Sequence, residues 1–219
     1  MRAKLETAGN VLSALSNTLQ LDTNPDGKKK LLGVPFSQYI KTELEYIKHW
    51  ELSSGSIFAM RSFAGIAIPF GNSNSIPFIR SYFAGGANDN RGWQPFDLGP
   101  GSSGGTSDFN EANFKLALNA ELRFNVFNDF KAALFIDAGN IWNVLDEVDN
   151  PDFTFTRLTD FNEIAIASGL GLRYDFGFTV FRLDLGFKTY NPALIKSKRW
   201  FSQYNLANAV FNVGINYPF

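Results

Sequence analysis

Cysteine is missing from the 219 residues, so disulfides, thiolate metal sites and cysteine nucleophiles are excluded together. Histidine occurs once, at His49, and histidine-based triads and multi-histidine metal centres therefore lack parts. Neither sign of charge is in excess. Lys and Arg number 20 against 21 Asp and Glu, a net charge of −1, which is no surface for neutralising phosphates, and nucleic acid is discarded as a partner. No stretch approaches eighteen consecutive apolar residues; the longest run, Ala132 to Ile136, is about five, which excludes a transmembrane helix and leaves a transmembrane barrel open. The opening residues, Met1 to Glu6, lack the apolar core and cleavage site of a signal peptide, so the chain is either soluble or without its beginning. Helical periodicity is scarce throughout.

What is abundant is the aromatic ring. Aromatics make up 16% of residues, with 23 Phe, while charged residues reach only 19%. That bias suits strands and aromatic girdles. Period-two alternation recurs to the end of the chain, clearest where Phe114, Leu116, Leu118, Ala120, Leu122, Phe124 and Val126 alternate with Lys115, Ala117, Asn119, Glu121, Arg123 and Asn125. The same pattern predicts strands over Ile40 to Tyr46, Phe58 to Phe70, Ala132 to Ile136, Ile164 to Arg173, Phe181 to Phe187 and Ala209 to Phe219, with a weaker one near Ala3 to Leu12. About eight antiparallel strands in a single domain, residues 1–219, are expected.

Their connections alternate in length. Short turns fall near Leu52 to Gly55, Phe127 to Phe130 and Asp175 to Gly177, and long loops at Leu15 to Phe36, about 71–112, Asn143 to Thr159 and Tyr190 to Asn205. Short turns on one side and long loops on the other are the mark of an outer-membrane barrel with its turns in the periplasm. A strand of about ten residues rises roughly 33 Å and, tilted by about 40°, covers an apolar band of roughly 25 Å. Alternation alone does not say which face is inside, because a soluble barrel or sandwich shows the same pattern turned inside out. Two features favour the membrane reading. Small residues (Gly65, Ala67, Gly169, Gly171, Gly186, Gly214) lie on the polar faces, and Trp50, Phe70, Phe127, Phe130, Trp142, Tyr174, Phe176 and Tyr217 stand at strand ends as girdle candidates.

The longest loop carries Asn90-Arg91-Gly92-Trp93, and later come Phe135-Ile136-Asp137-Ala138-Gly139-Asn140-Ile141-Trp142, Gly169-Leu170-Gly171-Leu172-Arg173-Tyr174 with Phe181-Arg182-Leu183-Asp184, and a terminal Phe211 to Phe219 ending in an aromatic. In order and spacing, over about residues 56–219, this set resembles the BamA/TamA outer-membrane assembly-factor (bacterial surface antigen) family. Two positions depart from the family's pattern: Asn90 stands where a β-branched residue is usual, and Trp93 where Phe or Tyr is commoner. The resemblance implies an all-β, antiparallel transmembrane β-barrel, of which this chain is the C-terminal half: eight strands of sixteen, without the POTRA domains. It also implies that the long loop folds back into the lumen, where Arg91, with Gly92 and Trp93, meets the carboxylates of Glu121 and Asp137. Phe211, Val213, Ile215, Tyr217 and Phe219 would form the closing gate strand and its β-signal.

Other motifs have plainer readings. Gly99-Pro100-Gly101-Ser102-Ser103-Gly104 matches a dinucleotide fingerprint formally but lacks its strand and helix, so a flexible loop is expected. Lys28-Lys29-Lys30 beside Pro25-Asp26-Gly27 reads as a solvated turn, and Glu43 and Glu45, two apart on one face, as lining rather than glycosidase carboxylates. No catalytic residue, metal site or cofactor is expected, and the protein is not read as an enzyme. The resemblance implies a bacterial outer-membrane location. The implied function is assembly, insertion or translocation of other proteins through a lateral gate, with outer-membrane lipids and unfolded outer-membrane proteins as partners and room for accessory lipoproteins. Three alternatives stay open: a POTRA-dependent secretion pore, a complete eight-stranded structural or adhesive barrel, and a soluble β-sandwich or lipocalin-like binder.

Overall fold

A computed structural model describes residues 1–105, 107 and 109–219; positions 106 and 108, within the expected long loop, lie outside the described residues. Eight strands follow one another: β1 (Arg2–Ala8), β2 (Tyr39–Ser53), β3 (Ser56–Pro69), β4 (Phe114–Phe127), β5 (Phe130–Trp142), β6 (Ala165–Asp175), β7 (Val180–Tyr190) and β8 (Val210–Ile215). They form one antiparallel sheet in sequence order. β1 and β8 are its two edges and do not pair, whereas a complete eight-stranded barrel requires that they do. A separate small hairpin pairs Lys30–Leu31 with Val34–Pro35 inside the first long loop.

The two faces of the sheet answer the question that alternation leaves open. On β5 the outward Leu134 is 53% exposed, while the inward Asp137 is 0% exposed. The same inversion runs across the sheet: Leu118, Leu170, Leu172, Phe211 and Val213 are exposed, and Asn119, Glu121, Arg173, Arg182 and Asp184 are buried. In water this would be costly twice over, leaving an apolar face wet and charges dry. It is the economical arrangement for a wall with hydrocarbon outside and a polar interior. A soluble sandwich, which hides its apolar face, does not fit.

The inner face is covered by the connection between β3 and β4. Isolated bridges Tyr82 to Ala112 and Ala84 to Leu98 fold this loop against itself, and its apolar residues Ile76, Tyr82, Ala84, Trp93 and Leu98 pack with Tyr39, Ala67, Ile141, Ala165 and Ala167 of the sheet. The buried apolar core therefore lies between loop and wall.

Three local expectations are corrected. The first strand stops at Ala8 instead of running to Leu12, because the chain turns at Gly9 (φ 74°) into a short helix, Asn10–Leu15. The last strand ends at Ile215 and not at Phe219: Asn216 takes a left-handed φ of 64°, and its side-chain oxygen accepts from the Thr179 hydroxyl at 3.2 Å. Of the girdle candidates, Trp142 is fully buried beneath Phe155, its indole N–H donating to Glu163 at 2.8 Å, and Tyr217 stacks with Arg123 on the inner side. The girdle on the turn side is otherwise a chain of ring contacts from Phe127 through Phe130, Tyr174 and Phe176 to Phe178.

Candidate functional site

Arg91 lies at the tip of the covering loop and reaches the middle of the inner wall. Its Nε and Nη2 grip the two oxygens of Asp137 at 2.8 and 2.9 Å, and its own backbone N–H adds a bond to Asp137 at 3.1 Å. Nη1 donates to Glu121 at 2.5 Å and lies 3.5 Å from Asp184. The guanidinium stacks 3.5 Å above the Phe135 ring, and the Arg91 carbonyl accepts from Asn212 Nδ2 at 2.9 Å. One loop residue is thus bound to β4, β5, β7 and β8 at once. The planar fork explains why arginine occupies this position: lysine offers one point charge and cannot grip a carboxylate bidentately while stacking on a ring.

The neighbours of the loop arginine complete the network. Arg173 donates to Asp184 at 2.6 Å and to Glu121 at 3.1 Å, Arg123 holds the other oxygen of Glu121 at 2.8 Å, and Asn119 donates to Asp137 at 2.9 Å. Arg182 bridges Asp184, at 3.2 Å, to the loop backbone at Ala87, at 2.9 Å. Four buried guanidinium groups (Arg91, Arg123, Arg173, Arg182) face three buried carboxylates (Glu121, Asp137, Asp184). Buried charges persist only when paired and hydrogen-bonded in this way.

Backbone fit is as tight as the charge fit. A Cβ on Gly186 would lie 2.2 Å from the Arg91 carbonyl oxygen, and one on Gly92 would lie 2.7 Å from the Ala167 Cβ. Any side chain at either position would push the loop off the wall. Trp93 is buried beside Lys188, whose Nζ lies 5.5 Å from the ring centroid.

The structure brings Arg91, Glu121 and Asp137 together, with Gly92 and Trp93 packed immediately beside them. Phe211, Val213 and Ile215 lie apart, pointing outward on the edge strand, and Tyr217 and Phe219 leave that row, the Phe219 carbonyl accepting from Arg123 at 3.1 Å. Glu43 and Glu45 are inner-face residues in ion pairs with Lys41 (3.2 Å) and Arg61 (2.8 Å). Within the lysine run, Lys28 bonds to Asn74 and Lys29 to Ser16, tying that loop to its neighbours. Gly101 donates to the Ile141 carbonyl at 2.8 Å, which seats the glycine-rich segment at the end of β5. Sequence reasoning did not assemble Asp184, Arg173, Arg182, Arg123, Phe135 and Asn212 into the site. Each occupies an inward position of the alternation, but only the strand register shows that they meet at one height.

An open antiparallel sheet with an apolar outside, a charged inside and an arginine-pinned loop across it defines a wall of an outer-membrane-type β-barrel. The chain belongs to the Omp85 superfamily, whose domain it matches over residues 28–217. Among solved structures it is similar to BamA from Haemophilus ducreyi lacking POTRA domains 1–3, at 14% identity and a TM-score of 0.57, over 94% of this chain and 46% of that one. The chain thus spans about half the length of that relative. No curated protein matches it. Membership places it with the outer-membrane β-barrel proteins of that superfamily, and the likeness to BamA shows the shared fold.

Proposed function

We propose that this chain is the C-terminal half of a sixteen-stranded barrel that inserts other β-barrel proteins into the bacterial outer membrane, with β8 as one side of a lateral gate. The observation that carries the reading is the seating of the pinned loop against the last strand. In a sixteen-stranded barrel β8 would pair with β7 on one side and close on the first strand of the other half on the other, and opening that seam would offer its backbone donors and acceptors to an incoming strand. The loop reaches this edge through Asn212, which donates to the Arg91 carbonyl; loop seating and edge position are mechanically linked. No step in such templating makes or breaks a covalent bond, and no enzyme chemistry is invoked. Substrates would be unfolded outer-membrane proteins, the surrounding lipid a second partner, and accessory lipoproteins a third.

The test is site-specific crosslinking in cells that make the complete gene product. A photoreactive residue at Val213 should capture the terminal strand of a nascent outer-membrane barrel, and depleting the protein should lower the amount of folded barrels. Capture of a secreted protein in transit, with barrel levels unchanged, would favour the secretion-pore reading. Absence of any nascent chain at Val213 would sink the gate.

A further inference from the structure

The connection between β7 and β8, residues 191–209, differs from its neighbour in charge. It has Lys196, Lys198 and Arg199 and no carboxylate, whereas the β5–β6 connection, residues 143–164, has six carboxylates against Arg157 alone. The acidic connection comes close to the base of the basic one: the hydroxyl of Tyr190, the last residue of β7, donates to the Asn162 carbonyl at 2.7 Å. Arg199 is held within its own loop, by the Leu194 carbonyl at 2.9 Å and the Tyr190 hydroxyl at 3.2 Å. Lys196 and Lys198, on the 3-10 helix Lys196–Lys198, are exposed, and their amino groups bond to nothing among the described residues, the acidic connection included.

Beyond the lysines the chain folds onto the outside of the wall. Trp200 bridges to Tyr190, their ring centroids 4.7 Å apart, and the Phe201 N–H donates to the Thr189 carbonyl at 2.9 Å. Tyr204 then lies on the outer face: its ring stacks on Phe187 at 4.8 Å and its hydroxyl is 3.4 Å from the Ser168 hydroxyl. Phe187 and Ser168 are cross-strand partners that continue the outward rows of Leu185 and Leu170. Ring contacts run on from Tyr204 to Phe201 and Trp200, and all three rings are exposed. Tyr204 thus packs on β7 and β6, away from the edge strand β8. The wall has a belt of rings at its loop-side end, the counterpart of the girdle at the turns.

We infer that the β7–β8 connection is an interfacial anchor that docks on anionic lipid headgroups of the loop-side leaflet, with Trp200, Phe201 and Tyr204 at the headgroup boundary and Lys196 and Lys198 on the lipid phosphates. Aromatic rings at the end of a lipid-facing wall settle at headgroup level, and lysines beside them extend their charges into a negative surface. An acidic protein would satisfy the lysines and leave rings that stand on the lipid-facing wall without a partner. A zwitterionic bilayer would accept the rings and offer the lysines no net charge. Anionic lipid satisfies both, and it repels the acidic β5–β6 connection, which explains why the two connections differ in sign. The inference rests on the outer-membrane reading proposed above and is independent of the gate.

The complete gene product is folded into vesicles of phosphatidylcholine and phosphatidylglycerol in equal parts, two sets that differ only in which lipid bears brominated chains. Tryptophan fluorescence is measured in each, and the difference between the wild type and Trp200→Phe isolates Trp200; Trp50→Phe isolates Trp50 on the turn side in the same way. Brominated phosphatidylglycerol should quench Trp200 more than brominated phosphatidylcholine does, by an amount that corresponds to several-fold enrichment of the anionic lipid. The double substitution Lys196→Gln with Lys198→Gln should make the two lipids equal at Trp200 and leave Trp50 unchanged, and Lys196→Arg with Lys198→Arg should keep the excess. Equal quenching of Trp200 in the wild type, or an excess that survives the double glutamine substitution, overturns the lipid selection. Quenching of Trp50 without quenching of Trp200 overturns the anchor while the membrane reading stands, and quenching of neither overturns both.

Discussion

On β5 the outward pair Leu134 and Ile136 is half-exposed, while the inward pair Phe135 and Asp137, on the same strand, is buried. The first pair has only its cross-strand neighbours Leu122, Leu170, Ala120 and Ser168 beside it and the second is held by Arg91, so one strand contains two kinds of stability. The inner side depends on paired charges, each needing its partner in place. The outer side depends on what surrounds the molecule. Substitutions that treat the two faces alike should therefore give opposite results.

The largest effect is expected from Asp137→Leu, which leaves the buried Arg91 without its bidentate partner and takes from the Asn119 amide one of its two acceptors, the Asp89 carbonyl remaining. Breaking one side of a buried charge pair costs about 3–5 kcal/mol. Denaturant unfolding in vesicles should report that loss, and a protease should cut the β3–β4 loop of the folded variant. An intact, protected loop in Asp137→Leu would mean that apolar packing around Trp93 and Tyr82 holds it unaided.

Next is Leu134→Arg on the outer face. At a position half open to water an arginine is ordinarily neutral, but on a lipid-facing wall it costs up to about 2–4 kcal/mol, more the farther it lies from the interface. Vesicle-reconstituted protein should lose that stability, and the loss should shrink when the substitution is moved toward the turns, as at Phe124. Equal stability of Leu134→Arg and the wild type would remove the contrast between the faces.

How much of this was readable beforehand differs between the same two faces. The strands and the sorting of their side chains into two faces, with Glu121 and Asp137 together on the polar one, followed from alternation, because a period of two separates the faces by parity; which face lies inside did not. Pairing of Arg91 with those carboxylates came from the resemblance of its loop motif, since nothing local in Asn90-Arg91-Gly92-Trp93 says which wall it meets. The rest of the network escaped because it depends on register: Arg173 lies opposite Arg182, a pairing of like charges that is acceptable only because Asp184 and Glu121 lie between them and Arg91. Strand ends were misplaced where a single residue, Gly9 or Asn216, takes a left-handed φ. Trp142 was misread because a terminal aromatic can meet either lipid or a covering loop, and parity does not distinguish these.

The β5–β6 connection over Trp142 supplies the smallest predicted effect and a third kind of contact. Glu163 closes the 3-10 helix Leu158–Glu163 and accepts from the Trp142 indole at 2.8 Å and the Ser102 hydroxyl at 3.1 Å. Burial raises its pKa above the ordinary 4.5, and the two hydrogen bonds only partly oppose that. A carboxyl group with a raised folded pKa favours the fold most when protonated, so its contribution is fullest below about 4.5 and declines as the pH rises through the raised value. Exchange of the Trp142 indole proton should accordingly speed up over that range beyond the ordinary effect of hydroxide. Glu163→Gln keeps one acceptor oxygen for the Trp142 indole, turns an amide N–H toward the Ser102 hydroxyl oxygen, which can accept it, and removes the charge, so the excess pH dependence should vanish while the overall stability changes little. An excess that persists in Glu163→Gln would assign the loop's pH response to another group and leave Trp142 held by ring packing against Phe114 and Phe155.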